Sequence, residues 1–398
     1  MQEEINEKTE ENRPLRLCFE GDYGAPSASG RIIRELILAL RSLELPVSLN
    51  EHRSYGPEAK EILCPPIIKK VADRPSTGRL RLFCLPAASL PPEHERGIFL
   101  ALCGFHPYYL SPYEAKKLNK AKKVWVYSKK HLETFQKPGM RRSSAEVFEP
   151  TVNSRVFNPK ARSGKEYFDP RPFSFIIIGN PLYRKGIDTA LRAYIEEFKA
   201  KEPVNLVIKL SNLPRPKKHL SYEIPDLTKR LGALNSYFPK VTVINSILND
   251  DDLAGLFASC DAYLSCGRSY HTALPEREAM SCGLPLIAPA YLADLLDFSE
   301  ENGFPADTVN GKIPEGMLFS NSPEINSQEV SIESLRKQMR LAFSKVDLLK
   351  QKAEKARRTT AKWKSWKELA SQINQCLIEL SLDQKSSGRI RREISKGL

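Results

Sequence analysis

The chain alternates short apolar runs with amphipathic segments, and this rhythm is its most informative feature. LRLCFE at 15–20 reads as a short buried strand, and the loop GDYGAPSASG leads from it into RIIRELILALRSL. In that last segment Ile32, Leu36, Ala39, Leu40 and Leu43 recur at the spacing of one helix face. Strand, small-residue loop and helix form the opening unit of a parallel α/β domain. VSLNE, LRLFCL and KVWVYS supply further strands, and their apolar centres suit a sheet covered on both faces.

A stretch rich in Pro, Arg and Lys (NPKARSGKEYFDPRP, 158–172) interrupts the rhythm and has the composition of a linker. The pattern then restarts. FSFIII reads as a strand, GNPLYRKG as a loop, IDTALRAYIEEF as a helix and VNLVIKL as a strand, followed by VTVIN, DDLAGLFASC, DAYLS, EREAMSCG and LPLIAP in alternation. The predicted fold class is therefore α/β, with two doubly wound, Rossmann-like domains. The segment 331–380 is charged and helical, with Trp363, Trp366, Leu369 and Ile373 at spacings of three and four, the mark of a helix docking by one apolar face.

Composition narrows the class. At 398 residues the chain exceeds what one core usually supports, and 41% hydrophobic with 27% charged residues is the balance of a globular protein. Its first residues, MQEEINEKTEENRP, are acidic and polar where a secretory signal is basic and then apolar, so a cytoplasmic location is expected. The 8 cysteines never form a C-x-x-C pair, which points to reduced, buried thiols. The net charge of +13 calls for an anionic partner. Zinc-finger spacing, basic zipper heptads and RNP-type aromatics are all missing, so that partner is not expected to be nucleic acid. The lysines at 116, 117, 120, 122, 123, 129 and 130, with Arg389, Arg391 and Arg392, read either as a solvated face or as a patch for an anionic polymer or for an anionic membrane at its inner face.

Two constellations carry chemistry. In the first, a strand runs into a loop bearing Arg184 and Lys185, and Gly186 opens a helix whose Ile187, Leu191, Tyr194, Ile195 and Phe198 share one face. Two cations beside a helix N-terminus favour an anion, although paired basic residues in a loop also serve simply to solvate it. In the second, DAYLS, a long loop and EREAMSCG place Glu276 and Glu278 in the first turn of a short helix ended by Gly283 and Pro285. A carboxylate at that sheet edge suits vicinal hydroxyls, or else merely complements the helix dipole.

Taken in this order, GNPLYRKGIDTALRAYIEEF and LNDDDLAGLFASCDAYLSCGRSYHTALPEREAMSCGLPLIAP resemble the donor domain of family 4 retaining glycosyltransferases of the GT-B fold, in the subgroup with an RKG turn. VWVYSKKHLETFQKPG and VFEPTVNSRVFNP resemble the stretch closing the N-terminal domain of that family. The resemblance implies a glycosyltransferase that moves a sugar from a nucleoside-diphosphate sugar to a glycan, glycolipid or glycoprotein. It implies that Arg184 and Lys185 grip the pyrophosphate, that Glu278 holds the ribose, and that the backbone of Thr272, Ala273 and Leu274 lies near the phosphates. Gly186 belongs to the same donor turn. Asn245, Ser246, Ile247 and the following Leu248 would lie against the base, Ser29 and Gly30 would meet the phosphates from the other domain, and His106 would face the transferred sugar. The expected division is a tail over 1–13, an acceptor-side domain over 14–165, a donor domain over 166–362, a helix over 363–382 crossing back to the first domain, and a basic tail over 383–398.

The family usually carries Glu, seven residues and Glu, but Tyr270 stands where the first Glu belongs. That carboxylate normally contacts the sugar. Asn180 likewise replaces a common Arg, for which Arg184 and Lys185 compensate. Asp250, Asp251 and Asp252 look like a metal-binding D-x-D but are better read as N-cap and first-turn acids of the next helix. With no P-loop and no dinucleotide fingerprint, neither a metal nor a redox cofactor is expected. Two other functions share these features: a non-catalytic nucleotide-sugar-binding subunit, favoured by Tyr270, and a nucleotide-sugar epimerase.

Overall fold

The computed structural model describes residues 17–51, 57–72, 80–84, 98–103, 110–136, 145–161, 171–179, 182–210, 237–270, 272–315 and 324–380. The first half runs β1 (Leu17–Glu20), α1 (Ala28–Ser42), β2 (Val47–Asn50), α2 (Pro57–Leu63), α3 (Pro66–Ala72), β3 (Leu80–Phe83), β4 (Ile98–Cys103), α4 (Pro112–Leu118), β5 (Lys123–Val126), α5 (Lys129–Phe135) and β6 (Ala145–Val147). Its strands form a 6-stranded sheet in the order β2-β1-β3-β4-β5-β6, and every pair is parallel. The pattern does not predict β4 or β6. The first follows a Pro-rich stretch that masks its start, and the second is a 3-residue edge strand, too short for alternation to show.

The second half runs β7 (Phe173–Ile178), a single 3-10 turn (Tyr183–Lys185), α6 (Ile187–Glu197), β8 (Val204–Leu210), β9 (Lys240–Asn245), α7 (Asp250–Ala258), β10 (Ala262–Leu264), α8 (Leu274–Ser281), β11 (Leu286–Pro289) and β12 (Gly303–Ala306). The hairpin β13 (Thr308–Ile313) and β14 (Ile325–Val330) follows, then α9 (Ile332–Ser344) and α10 (Val346–Thr360). The second parallel sheet has the order β12-β11-β10-β7-β8-β9. The chain builds outward from β7 through β8 to β9, then returns to place β10 on the other side of β7. The loops leaving β7 and β10 therefore diverge at the carboxyl edge, the crevice where open α/β sheets take ligands.

The last helix, α11 (366–380), belongs to the other core. Its Trp366, Leu369, Ala370, Ile373 and Leu377 pack with Leu17, Phe19, Ile33 and Leu36 of the first sheet and α1. Burying each large aliphatic side chain there contributes about 1.5–3 kcal/mol. Trp363 stays behind: its indole N–H donates to Asp297 at 3.1 Å, and the Arg277 guanidinium lies 4.8 Å above its ring. The apolar face thus starts at Trp366, and Trp363 packs on the second core.

Cys18, Cys64, Cys84, Cys260, Cys266 and Cys282 are buried and unbridged, and Cys376 is free and half-buried. The lysine cluster divides. Lys116, Lys120, Lys122 and Lys129 are exposed, whereas Lys117 is buried 4.2 Å from the Tyr113 ring, and Lys123 and Lys130 pair with Glu146 and Glu133. Among the described residues no helix is long and apolar enough to cross a membrane.

Candidate functional site

A cavity of about 250 Å³ lies where the two sheets' carboxyl edges face each other. From the first half, Pro26, Ser27, Ala28, Ser29 and Arg31 line it; from the second, Gly179, Arg184, Lys185, Lys209, Ser246, Ile247, Tyr270, Thr272, Ala273, Leu274, Glu276 and Glu278 do so.

Two helix N-termini open onto this space. Ser27 caps α1, its hydroxyl accepting from the Gly30 N–H at 3.2 Å. Ala273 caps α8 without a side-chain hydrogen bond, in a left-handed conformation with φ of 46°. N–H groups in a first helical turn carry partial positive charge and favour an anion, although in α8 the Leu274 N–H donates to the Thr272 hydroxyl at 3.3 Å and Pro275 has none. Gly30 itself turns away from the cavity, since a Cβ there would sit 2.3 Å from the Ala25 carbonyl oxygen. Its role is to let α1 start against its own loop.

Arg184 and Lys185 lie on the cavity wall, whereas the first residues of the helix behind them do not. The start of α6 is closed off, because a Cβ on Gly186 (φ +64°) would fall 1.8 Å from the Cys266 carbonyl oxygen. Asp188 in its first turn is gripped by Arg268 at 3.0 and 2.9 Å. Arg268 also donates to the Tyr183 carbonyl at 2.7 Å and stacks 4.1 Å from the Tyr183 ring. Its backbone N–H reaches the Arg184 carbonyl at 2.9 Å. These contacts tie the Arg184-Lys185-Gly186 turn to the Cys266 loop, and the helix starts that line the cavity are those of α1 and α8.

Neither Arg184 nor Lys185 pairs with a carboxylate among the described residues. Burial lowers the affinity of Arg184 for its proton. Burial, with Arg184 adjacent, pulls Lys185 down to about 8 against a weaker opposing pull from Glu276. A third cation was not expected. Lys209 lies within the largely apolar β8, 4% exposed, and donates to the Ser246 carbonyl at 2.7 Å. Burial, with Arg31 facing it, lowers it to about 8 as well. A charged residue in VNLVIKL, a strand the pattern buries on both faces, was the signal that could have found it.

The acids are placed differently from one another. Because α8 begins at Leu274, Glu276 is in its first turn, but Glu278 lies in the second, past the position expected for it. Glu278 is 2% exposed and pairs with Arg31, which reaches across from α1 and also meets Asp250 at 3.1 Å. Burial pushes the Glu278 carboxyl up to about 7, and Arg31 opposes that shift. Asp250, Asp251 and Asp252 are first-turn acids of α7, but its cap is Asn249, whose side chain accepts from the Asp252 N–H at 2.7 Å. Tyr270 is 5% exposed; its hydroxyl accepts from the Gly267 N–H at 2.8 Å and lies 2.9 Å from the Ser265 hydroxyl.

The cavity thus brings together Ser29, Arg184, Lys185, Ser246, Ile247, Tyr270, Thr272, Ala273, Leu274 and Glu278. Gly30 and Gly186 are not on its wall; they pack against the Ala25 and Cys266 carbonyls. Asn245 is exposed at the end of β9 and is not on the wall. His106 lies outside the described residues, as does Asn180.

No protein-family model matches the sequence. No curated protein matches it either. Solved structures do match. Sucrose-phosphate synthase from Thermosynechococcus elongatus superposes with a TM-score of 0.67 at 15% identity, covering 92% of this chain and 99% of that one. The fold is that of the GT-B glycosyltransferases. Anabaena HepE in complex with UDP-glucose gives 0.63 at 14% identity over 92% of this chain and 100% of its own. WaaG, a glycosyltransferase involved in lipopolysaccharide biosynthesis, gives 0.57 at 15% identity over 90% and 98%. The likeness is one of fold, and it spans 90% or more of this chain in each of these cases.

Proposed function

We propose that the chain is a glycosyltransferase that takes a nucleoside-diphosphate sugar as donor. The observation that carries this reading is the pair of cations Arg184 and Lys185, unpaired by any described carboxylate, facing the same cavity as two helix N-termini. Such a wall suits a diphosphate. Glu278, together with the 246–248 segment at the end of β9, supplies the nucleoside end, as in the family that the sequence resembles. HepE with bound UDP-glucose, on the same fold, supports a uridine nucleotide as the first to test.

In the reaction, the bond from the anomeric carbon to the diphosphate oxygen breaks and its electron pair stays on that oxygen. Fixed positive groups at the phosphate stabilise this growing charge and so lower the barrier. Arg184, Lys185 and the start of α8 are the groups placed to do so, without a divalent metal. The acceptor hydroxyl bonds to the anomeric carbon with retention of configuration and gives its proton to the departing phosphate. The acceptor is a glycan, glycolipid or glycoprotein, and the exposed lysines at 116, 120, 122 and 129 form the face that a cytoplasmic enzyme turns towards an anionic membrane. A non-catalytic donor-binding subunit is the second reading, because Tyr270 is hydrogen-bonded into the wall where the family has a carboxylate.

A panel of UDP-, GDP- and ADP-sugars tests the donor reading by thermal stabilisation, since a ligand at a hundred times its Kd adds about 2.7 kcal/mol to folding. A cavity that responds to none of them refutes it. Release of the nucleoside diphosphate with sugar transfer or hydrolysis, lost in Arg184→Ala, rejects the non-catalytic reading.

A further inference from the structure

We propose that Glu276 is the carboxylate that receives hydroxyls of the donor's sugar, and that Tyr270 positions it; this rests on the donor reading of the same cavity. Glu276 is the third residue of α8, from which a glutamate commonly reaches back to the cap's N–H. It does not do so in this protein. One carboxylate oxygen, Oε1, accepts from the Ser265 hydroxyl at 2.7 Å. The other, Oε2, is buried and accepts from no described residue. The side chain is 4% exposed and lines the cavity.

The direction of the hydrogen bonds follows from what each group can do. A carboxylate only accepts, so the Ser265 proton points to Glu276 and the 2.9 Å contact must use the Tyr270 proton. Tyr270 accepts in turn from the Gly267 N–H. The chain therefore runs Gly267 to Tyr270 to Ser265 to Glu276, every member donating towards the carboxylate. Burial raises the Tyr270 phenol far above its usual range, so the proton this chain needs stays in place.

An acceptor held this way, with one oxygen left over, needs a donor from the ligand. It will not be phosphate, which repels it. Glu278, paired through one oxygen with Arg31, is the carboxylate of the nucleoside end. Neutral hydroxyls beyond the diphosphate fit, and those belong to the sugar. On this reading Tyr270 does not delete the sugar-side carboxylate of the site but moves it to position 276.

The test compares a nucleoside diphosphate with its sugar conjugate, using the pair that most stabilises the wild-type protein in the panel above, titrated calorimetrically into wild type, Glu276→Gln and Tyr270→Phe. Glu276→Gln keeps an acceptor for Ser265, and its unliganded melting temperature reports folding. It should weaken the sugar conjugate about tenfold, the loss of one hydrogen bond to a charged group. Affinity for the bare diphosphate should hold or tighten, because a negative charge has gone. Tyr270→Phe should weaken the conjugate by a smaller factor, again sparing the diphosphate. Equal weakening of both ligands, or of neither, overturns the assignment while leaving the donor reading intact. A protein that binds no nucleoside diphosphate at all overturns both.

Discussion

Lys185 offers the sharpest test, because the geometry predicts opposite effects on stability and binding from one substitution. Burial beside Arg184 lowers its proton affinity from 10.5 to about 8, so keeping it charged in the folded protein costs about 3 kcal/mol at neutral pH. Methionine retains the aliphatic stem that packs against Gly179, where a Cβ would lie 3.2 Å from Lys185 Cδ, and removes only the charge. Lys185→Met should therefore raise the unfolding free energy by up to about 3 kcal/mol at pH 7. The gain should shrink with rising pH. Between about 8 and 10.5 the unfolded wild-type chain binds more protons than the folded one, so wild-type stability climbs towards that of the variant. Urea denaturation at pH 7 and pH 9.5 measures both points. Over the same substitution, nucleoside-diphosphate affinity should fall about tenfold to a hundredfold, the worth of one charge-assisted hydrogen bond. A solvated loop lysine would alter neither quantity. Unchanged stability at pH 7, or unchanged affinity, refutes the reasoning.

Sugar-nucleotide affinity should peak narrowly in pH: it rises to about 7 as Glu278 ionises and falls above about 8 as Lys185 and Lys209 lose their protons. Titration from pH 6 to 9 shows the two limbs, and Glu278→Gln should abolish the acid one; a flat profile contradicts the assignment. Arg31→Met leaves Glu278 buried and unpaired, at a cost of about 3–5 kcal/mol, and adding Glu278→Gln should recover most of it. Denaturation of the two single variants and the double variant measures this, and simple additivity would mean that the pair across the domains is not coupled. Gly186→Ala should cost about 2–4 kcal/mol, from a left-handed residue with a side chain and a displaced Cys266 carbonyl. A melting temperature within a degree of wild type would sink that argument.

What the sequence determined by itself is local. The periodicity that makes β1, α1, β7, α6 and α8 is carried by neighbours in the chain, so the two α/β domains and the turn bearing Arg184 and Lys185 could be read from spacing alone. The Asn249 cap and the start of α8 moved by a residue or two, because ends depend on capping contacts that a pattern of apolar positions does not record. Tertiary structure decided the rest. It set Arg31 on Glu278, 247 residues away, and sent α11 into the core of the first domain. It closed the start of α6 with the Cys266 loop and turned the starts of α1 and α8 towards the cavity instead. It also buried Lys209 and Glu276 on the cavity wall, with Glu276 Oε2 meeting no hydrogen-bond donor among the described residues. Those outcomes follow from which sheet edges face one another and which partners come within reach, and hydrophobic spacing along the chain holds no information about either.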